Sequence, residues 1–310
     1  MSYDVIGDIH GQADKLHSLL AGLGYRNTNG AYRHQERTAI FVGDFIDRGP
    51  RQIESVMTVR RMIDAGSALA VLGNHEFNAI AWHTPDPNYT GEYLRQRSGA
   101  WGEGNRKQHA AFLKEVEGTP DLHQELIDWF MTLPLWLDLP GIRVVHACWH
   151  EDYMKTLSQH LTPENQLTRE LMVTASRAGT SEYLAVEGLT KGLEVQLPNG
   201  HTFLDKDEHV RRNVRIRWWE AKATTYRDLA LMPDEMRGRL PAIALETDLR
   251  VPYDNAKPVF FGHYWLTGVP EMQTPTAACV DYSAANDGPL VAYRWGGEPT
   301  LNNGNFKCVG

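Results

Sequence analysis

Five apolar runs of strand length break off into polar residues, four of them framed by glycine: "VIGDIHG" (5–11), "FVGDFIDRG" (41–49), "VLGNHE" (71–76), "VVHACWH" (144–150) and "FFGHYW" (260–265). Strand ends of this kind constrain the fold strongly. In an open α/β sheet the carboxyl ends of parallel strands share one edge, and ligands bind just outside it. Asp8 and His10 stand at i and i+2, so both side chains can point to one side of an extended chain. A helix-capping role would account for Asp8 alone. It does not account for five strand ends that each deliver Asp, His or Asn.

The text between these ends supports such a sheet. Leu16, Leu19, Leu20 and Leu23 recur at helical spacing before Gly24, and "RQIESVMTVRRMIDAG" predicts a second helix closed by Gly66. Strand, helix, strand, helix, strand at this spacing is an α/β pattern. Residues from Thr84 to about Gly118 turn polar and glycine-rich and read as an insertion, before "HQELIDWFMTLPLWLDLP" predicts a helix running into a strand. Residues 151–257 depart from the rhythm, with helices, a short β-like part and the arginine-rich "HVRRNVRIRWWE"; regular strands return in "KPVFFGH", "AACVDYS" and "LVAYRWG". The expectation is one domain over 1–310, with 151–257 an insertion capping the site.

Composition removes several classes of function. No apolar run approaches the roughly 20 residues that cross a bilayer. The start "MSYDVIGD" lacks the basic and apolar regions of a signal peptide. Three cysteines without metal-finger spacing point to a reducing cytoplasm. A net charge of −8 argues against a broad nucleic-acid-binding surface.

The donors at the strand ends are carboxylate, imidazole and amide oxygen, a set that suits Mn, Fe or Zn and includes no thiolate. One carboxylate can bridge two ions, and Asp44, held behind Gly43, is placed for that task. In order along the chain, "GDIHG", "GDFIDRG", "GNHE", a downstream "VH" and a later "GH" resemble the signature of the calcineurin-like metallophosphoesterases. "GDFIDRG" and the single late histidine resemble the phosphoprotein-phosphatase branch, which includes bacterial diadenosine-tetraphosphatase-like and serine/threonine-phosphatase-like enzymes. The resemblance spans Gly7 to Trp265 and is specific in residues 5–80, 142–148 and 259–265.

That resemblance implies an α/β fold, the αββα sandwich of two packed mixed sheets flanked by helices, with a lid-like insertion. It implies two divalent cations, Mn first, with Fe, Zn and Ni also suited. Asp8, His10 and Asp44 would surround one, and Asp44, Asn74, His146 and His263 the other. His75 would be the general acid, oriented by Asp47, and Arg48 would grip a phosphate oxygen. The implied activity is hydrolysis of phosphate esters or anhydrides by a metal-bound hydroxide. Small phosphorylated or nucleotide-type substrates come first; phosphopeptide and nucleic-acid phosphatase readings are the alternatives. A catalytically silent metal-binding module is opposed by the presence of His75, Asp47 and Arg48.

Other residues receive plainer expectations. Glu76 orders its turn, His150 contacts the cap or is solvated, and Cys148 is inert packing. His83, His109, His123 and His201 lie on polar segments and are expected at the surface. Trp265 stands where relatives outside this branch carry a second late histidine, which implies a more loosely held first ion. If "HVRRNVRIRWWE" is one strand, Arg211, Arg215 and Arg217 share a face opposite Arg212. Arg215 and Arg217 are then candidates to contact substrate phosphate, with Trp218 and Trp219 offering an indole to a base or aryl ring.

Overall fold

The computed structural model describes residues 1–204, 209–245 and 249–310. In chain order the elements are β1 (Ser2–Ile6), α1 (Ala13–Leu23), the hairpin β2 (Arg26–Thr28) and β3 (Ala31–Arg33), β4 (Arg37–Phe41), α2 (Gln52–Asp64), β5 (Ala68–Ala70) and α3 (Asn74–His83). Next come α4 (Gly99–Gln108), α5 (Ala110–Val116), α6 (Pro120–Phe130), β6 (Trp136–Leu139), β7 (Ile142–Val145), α7 (Glu151–Ser158), α8 (Arg169–Ala175) and α9 (Ser181–Lys191). A stretch of small elements follows: β8 (Glu194–Gln196), β9 (Phe203–Leu204), β10 (Val210–Arg211), β11 (Asn213–Arg215), α10 (Tyr226–Leu229) and α11 (Asp234–Arg239). The chain closes with β12 (Val259–Phe261), β13 (Ala277–Cys279), β14 (Leu290–Trp295) and β15 (Phe306–Val309).

Two mixed sheets result. One has the order β15-β14-β1-β4-β5, with β1, β4 and β5 parallel and β14 antiparallel to β1. The other has the order β13-β12-β7-β6, with β13, β12 and β7 parallel. Strand alternation sorts their side chains. Tyr3, Val5, Ile40, Val144, Phe260 and Tyr293 form one buried cluster between the sheets. Their neighbours Ile6, Phe41, Val145, Phe261 and Ala292 turn outward into a larger cluster shared with the helices. The layering is helix, sheet, sheet, helix. Each sheet is thus buried on both faces, which explains why its strands read as near-continuous apolar runs.

Three segments differ from the reading of the sequence. The polar stretch after Thr84 holds two helices, α4 and α5, and α5 packs Phe112, Leu113 and Val116 inside the protein. The final strand β15 was not foreseen, because Lys307 and Cys308 are exposed and its apolar signal is short. The arginine-rich stretch is not one strand. A bend at Arg212 separates β10 from β11, and the two pair in different small sheets, so the single alternation over Arg211, Arg212, Arg215 and Arg217 does not hold.

Within 151–257, helices α7, α8 and α9 contribute Leu157, Met172 and Val186 to the main core. Residues from 193 onward instead build clusters of their own, around Leu197, Val214 and Tyr226 and around Ile216 and Leu229. Trp218 ties this small unit to the second sheet. Its indole N–H donates to the Ala147 carbonyl at 3.0 Å, and its ring packs on Phe261 at 5.1 Å between centroids. Trp218 is therefore a packing residue, fully buried and closed to any base or aryl ring. Replacing it by alanine is expected to lower stability by about 3–5 kcal/mol, read from guanidinium unfolding, with limited proteolysis cutting first in residues 193–245.

Candidate active site

The carboxyl ends of β1, β4, β5, β7 and β12 meet at one edge, and every strand-end residue singled out from the sequence is carried there. Asp8, His10, Asp44, Asp47, Asn74, His75, His146 and His263 are all buried. The turns that hold them are unusual. His10, Asp44, Asp47, Arg48 and His263 have φ of 46°, 52°, 71°, 75° and 72°, a left-handed backbone that each non-glycine residue adopts at a penalty of about 1–3 kcal/mol. Two glycines make room for the carboxylates. A Cβ on Gly262 would collide with Asp8 Oδ1, and one on Gly73 with Asp44 Oδ1.

Glu76 organises the central turn, as expected. Its carboxylate accepts from the backbone N–H groups of Asp44 (2.8 Å), Phe45 (2.8 Å) and Gly73 (3.2 Å). Two backbone carbonyls set histidine tautomers. His146 Nδ1–H donates to Val42 O at 2.6 Å and His10 Nδ1–H to Ile46 O at 2.9 Å, which leaves each Nε2 as a lone-pair donor turned inward.

Asp44 sits between the histidines. Its Oδ1 accepts from the His75 backbone N–H at 3.0 Å. Its Oδ2 has no hydrogen-bond partner and lies 3.7 Å from His10 Nε2, 3.9 Å from His75 Nε2 and 3.4 Å from His146 Nε2. Asn74 Oδ1 lies 3.1 Å from His146 Nε2 and 2.8 Å from His263 Nδ1. Asp8 Oδ1, His10 Nε2 and His263 Nε2 are also buried and unpartnered. Orphaned polar atoms of this kind are expensive in a protein interior, and carboxylate, imidazole and amide oxygens converging without partners fit divalent cations. Among the described residues, two sets bring their donor atoms within 4.8 Å of one another: His10, Asp44 and His75, and Asp44, His146 and His263. Asp44 is common to both. His75 falls within reach of the first by distance, and Asp8 stands beside it and accepts from the His263 backbone N–H at 3.0 Å.

The electrostatics agree with such a site. Burial, with the charges of Asp281 and Asp44 close by, pushes the Asp8 carboxyl well up. Burial and Asp44 push Glu76 up to about 7. Burial drives His10 down to about 3 and His263 well below its ordinary value, keeping both imidazoles neutral. For Asp44, burial is outweighed by His146 and His75, which hold the carboxyl well below the usual range. Asp281, just beyond β13, was not read from the sequence. It is buried and accepts from the backbone N–H groups of Trp265 (2.7 Å) and Ser283 (3.0 Å). "AACVDYS" carried the signal, an acid at a further strand end.

Beside this cluster His75 Nδ1–H donates to Asp47 Oδ2 at 2.6 Å. The other oxygen of Asp47 accepts from His109 Nδ1–H at 2.8 Å. His109 was expected at the surface and is instead buried, because the break between α4 and α5 turns its ring inward. His123 is buried as well, packed against His83 and Phe112. His150 caps α7, and Cys148 is buried with its thiol pushed well up. The guanidinium carbon of Arg48 lies over the Trp265 ring, 3.5 Å from its centroid.

Asp44, His75 and His263 open into a cavity of about 1660 Å³ that Arg48, Arg215 and Arg217 also line. Arg215 stands 4.0 Å from Glu194, and Arg217 donates to the Asp228 carbonyl. Trp219 reaches the cavity wall but is packed on Phe261 and Tyr264.

The fold and the site define a class. The calcineurin-like phosphoesterase profile matches residues 1–264, and the chain belongs to that family. Among curated proteins, the bis(5'-nucleosyl)-tetraphosphatase PrpE [asymmetrical] of Oceanobacillus iheyensis is 30% identical over 148 residues, covering 47% of this chain and 55% of that protein. The protein of that name from Bacillus subtilis is 43% identical over 76 residues, covering 24% and 31%. The chain thus spans about half or less of the length of these relatives. Among solved structures, a mutant of a cold-active protein tyrosine phosphatase superposes with a TM-score of 0.51 at 15% identity, over 100% of this chain and 80% of that one. No helix among the described residues is long and apolar enough to cross a membrane.

Raised carboxyl pKa values make metal-free stability depend on pH with a definite sign. The contribution of protonated Glu76 and Asp8 is full below the unfolded carboxylate range, near pH 4, and for Glu76 is lost as pH rises through about 7. Mn²⁺ is therefore expected to raise Tm more at pH 8 than at pH 5, measured against chelated protein. Equal increments at the two pH values would count against the acidic cluster as a cation site.

Proposed function

We propose that the chain is a phosphohydrolase that holds two divalent cations and cleaves phosphate esters or anhydrides of small phosphorylated or nucleotide-type substrates. The observation that carries this reading is the unpartnered Asp44 Oδ2, set between two groups of histidines in the floor of an arginine-lined cavity. Asp8, His10 and Asp44 would hold one cation, with His75 beside them as proton donor and not as ligand because Asp47 engages its ring, and Asp44, Asn74, His146 and His263 the other, with Mn the first choice of metal. Bound cations would neutralise phosphate charge and acidify the attacking water.

The remaining work belongs to the chain. Asp47 holds the proton of His75 on Nδ1, so Nε2 faces the cavity and, in the imidazolium form, has a proton to give to a departing oxygen. Arg48, held over Trp265, would offer its N–H groups to phosphate oxygens, which a guanidinium matches bidentately. Arg215 and Arg217 line the same cavity further out and would engage phosphates beyond the one attacked. Residues 193–204 and 209–245 would supply the inner part of the cap assigned to 151–257 of a single 1–310 domain. The free thiols of Cys148 and Cys279 suit a reducing cytoplasm. The breadth of the cavity favours a phosphopeptide as the second reading.

Two variants test the assignment. Asp44→Asn is expected to lose both ions and to abolish turnover; metal analysis that finds two tightly bound ions with full activity would refute the bridging role. His75→Asn is expected to keep both ions and lower kcat by about 10²–10⁴ on alkyl phosphates, with a much smaller loss on nitrophenyl phosphate, whose leaving group needs little protonation. Screening Mn-loaded protein on nucleotides, dinucleoside polyphosphates and phosphopeptides ranks the substrate classes.

A further inference from the structure

We propose that His109 is a positioning residue for the proton donor, acting through Asp47 in a buried His75–Asp47–His109 chain. The inference rests on the donor role of His75 proposed above.

Asp47 is held from several directions. Its backbone N–H donates to Gln52 Oε1 at 2.6 Å, and its two carboxylate oxygens each receive one ring N–H, from His75 at 2.6 Å and from His109 at 2.8 Å. A carboxylate on its own turns easily about its last torsion, which has broad minima. With both oxygens engaged, its plane is fixed, and so is the direction in which it aims His75. An ionised carboxylate only accepts, so both histidines carry their proton on Nδ1. Hydrogen bonds from His109 and His75 outweigh burial and keep Asp47 ionised, down at about 2.

The His109 ring is held for this purpose and no other that the structure shows. Its backbone N–H is fixed at the helix junction by Asn105 O at 3.1 Å. Phe112 lies 5.1 Å and Trp82 6.4 Å from its ring centroid, and its Nε2 has no partner. A polar ring buried among aromatics with only one nitrogen satisfied is not a good packing choice; a leucine would bury the same space without an orphaned atom. The hydrogen bond to Asp47 is what the histidine adds.

The experiment uses the full Mn-loaded chain and two esters, an alkyl phosphate and nitrophenyl phosphate. His109→Ala is expected to lower kcat about 10–100-fold on the alkyl ester, the range for lost outer-layer partners, and to leave the nitrophenyl ester nearly unchanged, with KM unaltered on both. His109→Asn, whose amide N–H takes the place of Nδ1–H, is expected to restore most of the loss. His109→Gln, whose amide lies at the Nε2 position, is not. Should His109→Ala fail to fold, the Asn and Gln variants decide the matter between them. In a His75→Asn background, His109→Ala should add nothing further. Equal losses on both esters, additive losses in the double variant, or Gln equal to Asn would overturn the proposal. A leaving-group dependence in His75→Asn that His109→Ala does not share overturns this inference alone; equal losses on both esters in His75→Asn overturn the donor role and the inference with it.

Discussion

Four carboxylates, those of Asp8, Asp44, Glu76 and Asp281, lie buried together, and the local backbone is shaped by the need to keep them there. A buried ionised carboxyl group is unfavourable unless hydrogen bonds or opposite charge meet it. In each case backbone N–H groups do so: His263 for Asp8, His75 for Asp44, Asp44 and Phe45 for Glu76, and Trp265 and Ser283 for Asp281. Presenting N–H groups inward requires turns that an ordinary residue would avoid, which is why left-handed φ values gather at His10, Asp44, Asp47, Arg48, His263 and Trp265. Glycines stand where a side chain would strike an oxygen. The backbone bonds do not use every oxygen, and those left over are the ones turned toward the proposed cations.

Much of this was legible in the sequence because the site is built at strand ends. A strand stops where its apolar run stops, so "GDIHG", "GDFIDRG" and "GNHE" mark both an element boundary and a chemical group. The two-sheet sandwich was implied by resemblance, not by periodicity, since strands buried on both faces carry no alternation. What escaped was whatever reaches the site from elsewhere. His109 comes from a polar segment without strand-end framing, and only the fold turns it inward. Trp265 reads as a missing histidine, yet in the structure it is the platform beneath Arg48. The arginine stretch misled because "VRRNVRIR" has a strand's composition, whereas the bend at Arg212 divides it.

A chain with a net charge of −8 places Arg48, Arg215 and Arg217 around one cavity whose floor is acidic. The two signs act at different ranges. Wall arginines would draw in an anion that the bare carboxylates repel, and cations on the floor would reverse that repulsion where a phosphate is proposed to arrive. Attraction at the wall would thereby be kept apart from the chemistry proposed at the floor.

The place of β1 has a consequence for the life of the newly made chain. It lies between β4 and β14, with Tyr3 opposite Trp295 and Ile6 opposite Ala292, so one edge of this strand waits for a partner nearly three hundred residues away. While the ribosome is still working, that edge offers unpaired N–H and C=O groups flanked by apolar side chains, which is a template for pairing with other chains. Asp8, at the end of the same strand, waits as long for the backbone of His263. The site is therefore complete only once residues as distant as His263 have been made, and until then the open edge of β1 is exposed to pairing with other chains.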